Sequence, residues 1–181
     1  YSDIARQLEH REHTLTGAAL GARRFILGLS KKVLIANVLY ELMTSAKASA
    51  EPSVLLSWIY ALACVLQIYF DFSGYSDMAI GLGRILGFRF AENFDYPCIA
   101  GSVTEFWRRW HISLGSWFRD YVYIPLGGSR VSRGKQLRNI FVVWLLTGLW
   151  HGAEWNFVLW GLFFAVLLMA EKRFFLPALQ K

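Results

Sequence analysis

Two histidines stand in settings where an imidazole could do chemistry. His151 lies in Thr147-Gly-Leu-Trp-His-Gly-Ala153, and His111 lies in Trp107-Arg-Arg-Trp-His-Ile-Ser-Leu-Gly115. From Asn139 to Ala170 only His151 and Glu154 readily ionise. An ionisable side chain at membrane depth is costly, so it signals function unless something else accounts for it. Imidazole is the side chain whose ordinary pKa falls near operating pH, and a positioned base contributes about 10²–10⁴-fold to a rate. Burial without a carboxylate favours the neutral ring, which can take a proton from a hydroxyl. The plainer role for His151 is a hydrogen bond between helices. For His111 it is a place among interfacial tryptophans.

The elements around His151 must hold it within a membrane. A helix from Asn139 to Trp150 rises about 18 Å against a hydrocarbon core of about 30 Å, so it stops part-way across. His151 is then expected in protein or in a water-filled cavity. The run from Asn139 to Ala170, interrupted at His151–Glu154, reads as a short or re-entrant first arm and a fuller second one. The basic loop Ser129–Arg138 before it, and Lys172-Arg173 after it, place both ends of this pair in the cytoplasm.

Upstream, Pro52 to Phe70 carries no charge and would rise about 27 Å as a helix, a full crossing. Asp71-Phe-Ser-Gly-Tyr-Ser-Asp77 interrupts that apolar run, and Met78–Phe90 resumes it with Gly81, Gly83 and Gly87 placed for close helix packing. Residues 17–44 interleave apolar groups with Arg23, Arg24, Lys31 and Lys32, as in a helix lying at a membrane surface. Within them Gly17 and Gly21 have the small-xxx-small spacing of close helix contacts. A loop is expected around Ser45–Ser53. In residues 101–128, Ser102 or Thr104 could cap a helix. The aromatic residues Trp107, Trp110, Trp117, Phe118, Tyr121 and Tyr123 interleave with arginines as at a membrane–water boundary.

Composition agrees with this layout. The chain has 181 residues, 55% of them apolar, with 8 Trp, 8 Tyr and 14 Phe. Soluble domains break their apolar residues into amphipathic periods, whereas these come in long uncharged blocks. The net charge of +6 sits in clusters that the positive-inside rule explains, so nucleic acid is not an expected partner. Cys64 and Cys98 make neither a disulfide framework nor a metal site. His10 and His13 lack further ligands nearby and read as a solvated helix face, so no metal is expected. Gly128 and Gly134-Lys135 do not have phosphate-loop spacing.

Two motifs carry a resemblance. Trp107-Arg-Arg-Trp-His-Ile-Ser-Leu-Gly-Ser-Trp-Phe-Arg-Asp-Tyr-Val-Tyr-Ile-Pro-Leu-Gly-Gly128 resembles a signature of the membrane-bound O-acyltransferase family, and Thr147–Ala153 is similar to that family's second signature. Tyr69-Phe-Asp-Phe-Ser-Gly-Tyr-Ser-Asp-Met-Ala-Ile-Gly-Leu82 resembles the alginate O-acetyltransferase branch. One departure is Gly115, where the pattern usually has a second serine.

The resemblance implies an all-α, multi-pass transmembrane fold with interfacial and re-entrant helices. Residues 1–181 would be the central part of one such membrane domain within a longer chain. It also implies His151 as general base and His111 as a second site residue that orients substrate, holds the thioester or supports His151. An acetyl group would pass from a cytoplasmic thioester, acetyl-CoA or an acyl carrier protein, toward an extracytoplasmic polysaccharide or a relay acetyltransferase protein. No bound cofactor is expected, and the location implied is the bacterial inner membrane. D-alanyl transfer is the variant within the family. The rival of another class is a transporter or channel with His151, Asp71 and Asp77 on an ion path. A structural scaffold is the third reading. Asp71, Asp77, Glu105, Asp120 and Glu154 could orient an imidazole, but ion pairs with Arg84, Arg108, Arg109 or Arg119 are the simpler expectation for most. The 130–138 loop could attract an acidic carrier or coenzyme A phosphates. Positive-inside charge accounts for it equally well, so it receives no binding role.

Overall fold

The structure, a computed structural model, describes residues 2–50 and 53–175. Among them the chain is helical, and the extended pairing it contains is a single bridge between Phe94 and Trp110. It divides into two compact units, Tyr1–Glu92 and Asn93–Lys181.

The first unit contains α1 (Ser2–Glu9), α2 (Leu15–Ser30), α3 (Asn37–Lys47) and α4 (Val54–Ile85). Thr14 caps α2 by accepting from the Gly17 amide, and Ser53 caps α4 by accepting from the Leu56 amide. A π-helical turn, Lys31–Ala36, joins α2 to α3 without breaking the helix. The expected loop is therefore shorter at its start, because α3 runs to Lys47. His10 and His13 follow the end of α1 and are exposed, so they do not lie on a helix face.

The larger correction concerns Asp71–Asp77. The apolar run is interrupted, but α4 continues through it as one helix of 32 residues. Lys32 pairs with Asp71, while Lys31 and Arg24 both reach Asp77 at 2.6 Å. These cations come from α2 and the π turn, so the partner expected for the carboxylates, Arg84, is not the one used. Two carboxylates that would break an isolated apolar span are neutralised by the neighbouring helix.

Glycines permit that approach. A Cβ on Gly28 would lie 2.5 Å from the Gly74 carbonyl oxygen, and one on Gly21 would lie 2.6 Å from the Gly81 oxygen. The seam thus repeats every seven residues on both helices, two turns of each, and the helices run antiparallel. Gly17 belongs to the cap, where its Cβ would meet Thr14, so the small-xxx-small pair read from the sequence has the wrong partner. Of the three later glycines, Gly81 packs on α2, Gly83 faces the Phe90 ring, and Gly87 ends α4 with φ +81°.

Among the described residues, α4 is the one helix long and apolar enough to cross a membrane. Its most apolar window is only 6% buried, unlike the core helix of a soluble protein. Leu55, Trp58 and Leu62 are each at least 60% exposed, an apolar surface that lipid would cover.

The second unit contains two short helices, α5 (Val103–Arg109) and α6 (Ile112–Phe118), and a hairpin of α7 (Arg133–His151) and α8 (Trp155–Ala170). Ser102 caps α5 as expected, accepting from the Glu105 amide. Glu171, 5% exposed, also binds the start of α5, accepting from the Val103 and Thr104 amides at 2.6 and 2.9 Å and from the Thr104 hydroxyl. A carboxylate at a helix N-terminus satisfies orphan donors and opposes the helix dipole.

The hairpin differs from the sequence expectation at its start, since α7 begins at Arg133 and has 19 residues. α8 has 16 and continues without a break through the five-residue π turn Glu171–Phe175, so the second arm is the fuller one, as expected. Arg133, Lys135 and Arg138 form the opening turns of α7 instead of a loop. Arg and Lys are good helix formers whose long stems keep their charges at an interface. The interruption, residues 152–154, falls within the stretch where the sequence placed it. Asn139, fully buried, ties α7 to the preceding turn by donating to the Leu126 and Gly128 carbonyls at 3.1 and 3.3 Å.

Candidate active site

His151 is the last residue of α7. The two arms come close there because both lack side chains at the crossing. A Cβ on Gly148 would lie 2.6 Å from the Phe157 carbonyl oxygen, and one on Gly161 would collide with the Trp144 carbonyl oxygen. Gly152 follows His151, and a Cβ on it would sit 2.6 Å from the Phe157 ring. The imidazole is held by rings: Trp160 at 4.9 Å edge-to-face, Trp150 at 5.0 Å and Phe157 at 6.2 Å stacked. More than a third of His151 is nevertheless exposed. A break of only a few residues leaves the ring at a helix end, with aromatic walls contributed by its own hairpin.

His111 forms the corner between α5 and α6. Its backbone is left-handed, at φ 47°, a region that costs a non-glycine residue about 1–2 kcal/mol. Such strain persists only where the surroundings over-determine it. Here residues 93–95 do so. Trp110 bridges Phe94, the Asp95 amide donates to the Arg109 carbonyl at 2.9 Å, and the Ile112 amide donates to the Asn93 carbonyl at 2.9 Å. The Asn93 side chain then reaches the site. Its Oδ1 accepts from the Ser113 amide at 3.0 Å and lies 3.2 Å from His111 Nδ1.

The structure brings the two sequence-predicted histidines to one indole. The Trp150 ring centre lies 5.0 Å from that of His151 and 6.1 Å from that of His111. Burial, and after it the charge of His151, hold the His111 imidazole below its ordinary value. A second proton on this pair is disfavoured, which favours the neutral ring of His111.

The carboxylates mostly answer to cations. Glu105 bonds to Arg109 at 2.9 Å, and Asp120 to its neighbour Arg119 at 2.7 Å, as the sequence led one to expect. The Gly101 amide first, and Arg109 second, keep the Glu105 carboxyl below the usual range. Glu154 sits at the start of α8, where its carbonyl accepts from the Phe157 and Val158 amides.

Trp107 has a packing role beside the boundary composition. It packs inside the unit against Trp144 and Phe164, both at 4.8 Å, and Trp160 at 5.8 Å. That cluster joins α5 to the hairpin carrying His151. Sequence reasoning missed Asn93 and Glu171. Neither belongs to the quoted motifs, and their partners lie 18 and 67–68 residues away in the chain.

The sequence profile of MBOAT, the membrane-bound O-acyltransferase family, matches residues 1–176. The chain belongs to this family. It is 49% identical over its whole length to the Azotobacter vinelandii protein named "Probable alginate O-acetylase AlgI", matching 36% of that protein. The Pseudomonas aeruginosa protein of the same name is 51% identical over 95% of the chain and 33% of its own length. A Helicobacter pylori peptidoglycan O-acetyltransferase is 41% identical over 86% of the chain and 30% of its own length. The chain thus spans about a third of the length of the curated relatives it matches.

Proposed function

We propose that this chain carries the acyl-transfer centre of a multi-pass membrane O-acetyltransferase that modifies a cell-envelope polysaccharide. The observation that carries the reading is the meeting of His151 and His111 at Trp150, each within a motif resembling a family signature. His151 acts as general base. It takes the acceptor hydroxyl's proton as that oxygen bonds the acyl carbon and the carbon–sulfur bond of the donor thioester breaks. The thiolate leaves and takes up a proton. Acetyl-CoA or an acyl carrier protein supplies the thioester from the cytoplasm, and a polysaccharide or relay acetyltransferase receives the acetyl group on the other side of the inner membrane.

Acetyl transfer is favoured over D-alanyl transfer by similarity. Relatives named for acetyl transfer are more similar to the chain than those named for D-alanyl transfer. The ion-path reading loses its motive at Asp71 and Asp77, because both are paired with cations of their own unit.

The test compares acyl transfer by the full-length protein, wild type against His151→Ala, with insertion and folding checked in the same membranes. Loss of transfer in a folded variant is the expected result, and undiminished transfer would remove His151 from the chemistry. Lowering the pH should also be informative. His111 must be neutral to take part, and it is held below the ordinary imidazole value of 6.5. An acid limb that depends on it should therefore fall below that value. A limb above it would count against this neutral histidine.

A further inference from the structure

We infer that Asn93 is a positioning residue that fixes the tautomer of His111, leaving Nε2 as the ring's hydrogen-bond acceptor for the acyl-transfer step. The inference rests on the reading of the site as an acyl-transfer centre, although its geometric half stands independently.

The argument begins at a group that can only donate. The Ser113 backbone amide lies 3.0 Å from Asn93 Oδ1, which must therefore be the carbonyl oxygen. Turning the Asn93 amide over would set an NH₂ against an N–H. The Ser113 hydroxyl, 2.9 Å from the same oxygen, agrees with this orientation. A carbonyl oxygen cannot donate, so the 3.2 Å contact with His111 is a hydrogen bond only if Nδ1 carries the proton. An unprotonated Nδ1 would face a carbonyl oxygen, acceptor against acceptor. The Ser113 hydroxyl, which could donate to it, is 3.4 Å away, farther than that hydroxyl's distance to Asn93. Neutral His111 consequently holds its proton on Nδ1 and its lone pair on Nε2.

Backbone geometry makes the arrangement deliberate. The residue that sets the tautomer also binds the corner, since the Asn93 carbonyl accepts from the Ile112 amide on the far side of His111. One residue thereby holds both the left-handed backbone and the ring. A histidine that serves as acid or base is commonly oriented through its second nitrogen, and that partner decides which nitrogen is available. An amide does this without adding charge. An aspartate there would also favour a proton on Nδ1, but it would promote a doubly protonated ring. The titratable and charged groups around the corner include His151 on α7 and Arg109 on α5, the latter bonded to Glu105 and Asp95.

The experiment uses the full-length protein labelled with ¹⁵N-histidine, with the His111 signals identified by their loss in His111→Gln. Wild type should show the Nδ1–H tautomer. Asn93→Ala should shift the ring toward Nε2–H and lower kcat by about 10–100-fold, the usual effect of removing a histidine's orienting partner. Asn93→Asp keeps the shape and the acceptor. It should preserve the tautomer and move the acid limb of the rate upward by about one pH unit.

An Nε2–H ring in wild type, or an unchanged ring and rate in Asn93→Ala, would overturn the inference. Should Asn93→Ala fail to fold, Asn93→Asp decides alone, and an unmoved acid limb would then overturn it. Wild-type protein with the expected tautomer but no transfer to polysaccharide would overturn the functional reading and leave Asn93 as the setter of a tautomer without a transfer role.

Discussion

The carboxylates of α4 in one unit and the two histidines in the other are held by different means. In the first, Asp71 and Asp77 are matched by Lys32, Lys31 and Arg24 across a seam of glycines, and the helices are long. In the second, the histidines lie beside an amide and aromatic rings, the helices around His111 have seven residues each, and a backbone in the left-handed region is tolerated. Paired charges on α4 remove the cost of placing carboxylates in an apolar helix, and they also quiet them chemically. An imidazole against an amide keeps a usable lone pair. On the function proposed above, the first unit is built for persistence and the second for proton transfer.

Four substitutions probe that division, in descending order of expected effect. His151→Ala should reduce transfer about 10³-fold, roughly 4 kcal/mol of barrier, with membrane insertion unchanged. Retained transfer would dissolve the contrast altogether. Gly28→Leu drives a side chain into the Gly74 carbonyl and should cost about 3 kcal/mol, the upper end for overpacking. It should lower the folded fraction in a thermal or denaturant melt while leaving the rate per folded molecule intact. A specific loss of kcat would show that the seam takes part in catalysis.

Glu171→Ala orphans the Val103 and Thr104 amides and should cost about 2 kcal/mol. Because α5 leads directly to His111, this change should lower both melting temperature and kcat, which separates it from Gly28→Leu. Asp71→Asn weakens a pair whose members are each at least a third exposed, and should cost under about 1 kcal/mol, less still at high salt. A proton or ion flux abolished by it would revive the ion-path reading that its pairing argues against.

Much of the site's outline was legible in the chain. An isolated histidine in a long apolar stretch, followed by Gly152, marks the end of α7, and the two motifs mark the family. Helix caps such as Ser102 are local, so short-range pattern exposes them. What stayed hidden depends on partners distant in sequence. Asp71 and Asp77 read as an interruption until Lys31 and Lys32 are set beside them. The seven-residue glycine seam needs two helices to be recognised, since either half alone looks like an ordinary small-residue spacing. His111 in the left-handed region follows from residues 93–95, and nothing in its own neighbours demands it. Trp107 carries the composition of an interface but the contacts of a core, because composition does not tell which face of a short helix turns inward.

The π turn at Lys31–Ala36 has a consequence for phase. Each α-helical residue advances the chain by about 100°, and a π turn accommodates one residue more than the regular spiral would. Everything after it is therefore rotated relative to everything before it, although the helix looks continuous. α2 presents its glycines to α4 on one side of the turn, and α3 also packs on α4 beyond it. Removing a single residue from 31–36 would swing the whole of α3 by about a quarter turn. The contact of α3 with α4 is thus addressed by residue count as much as by residue type. A one-residue deletion there should act as a frameshift in space, leaving every later side chain chemically intact and pointed the wrong way.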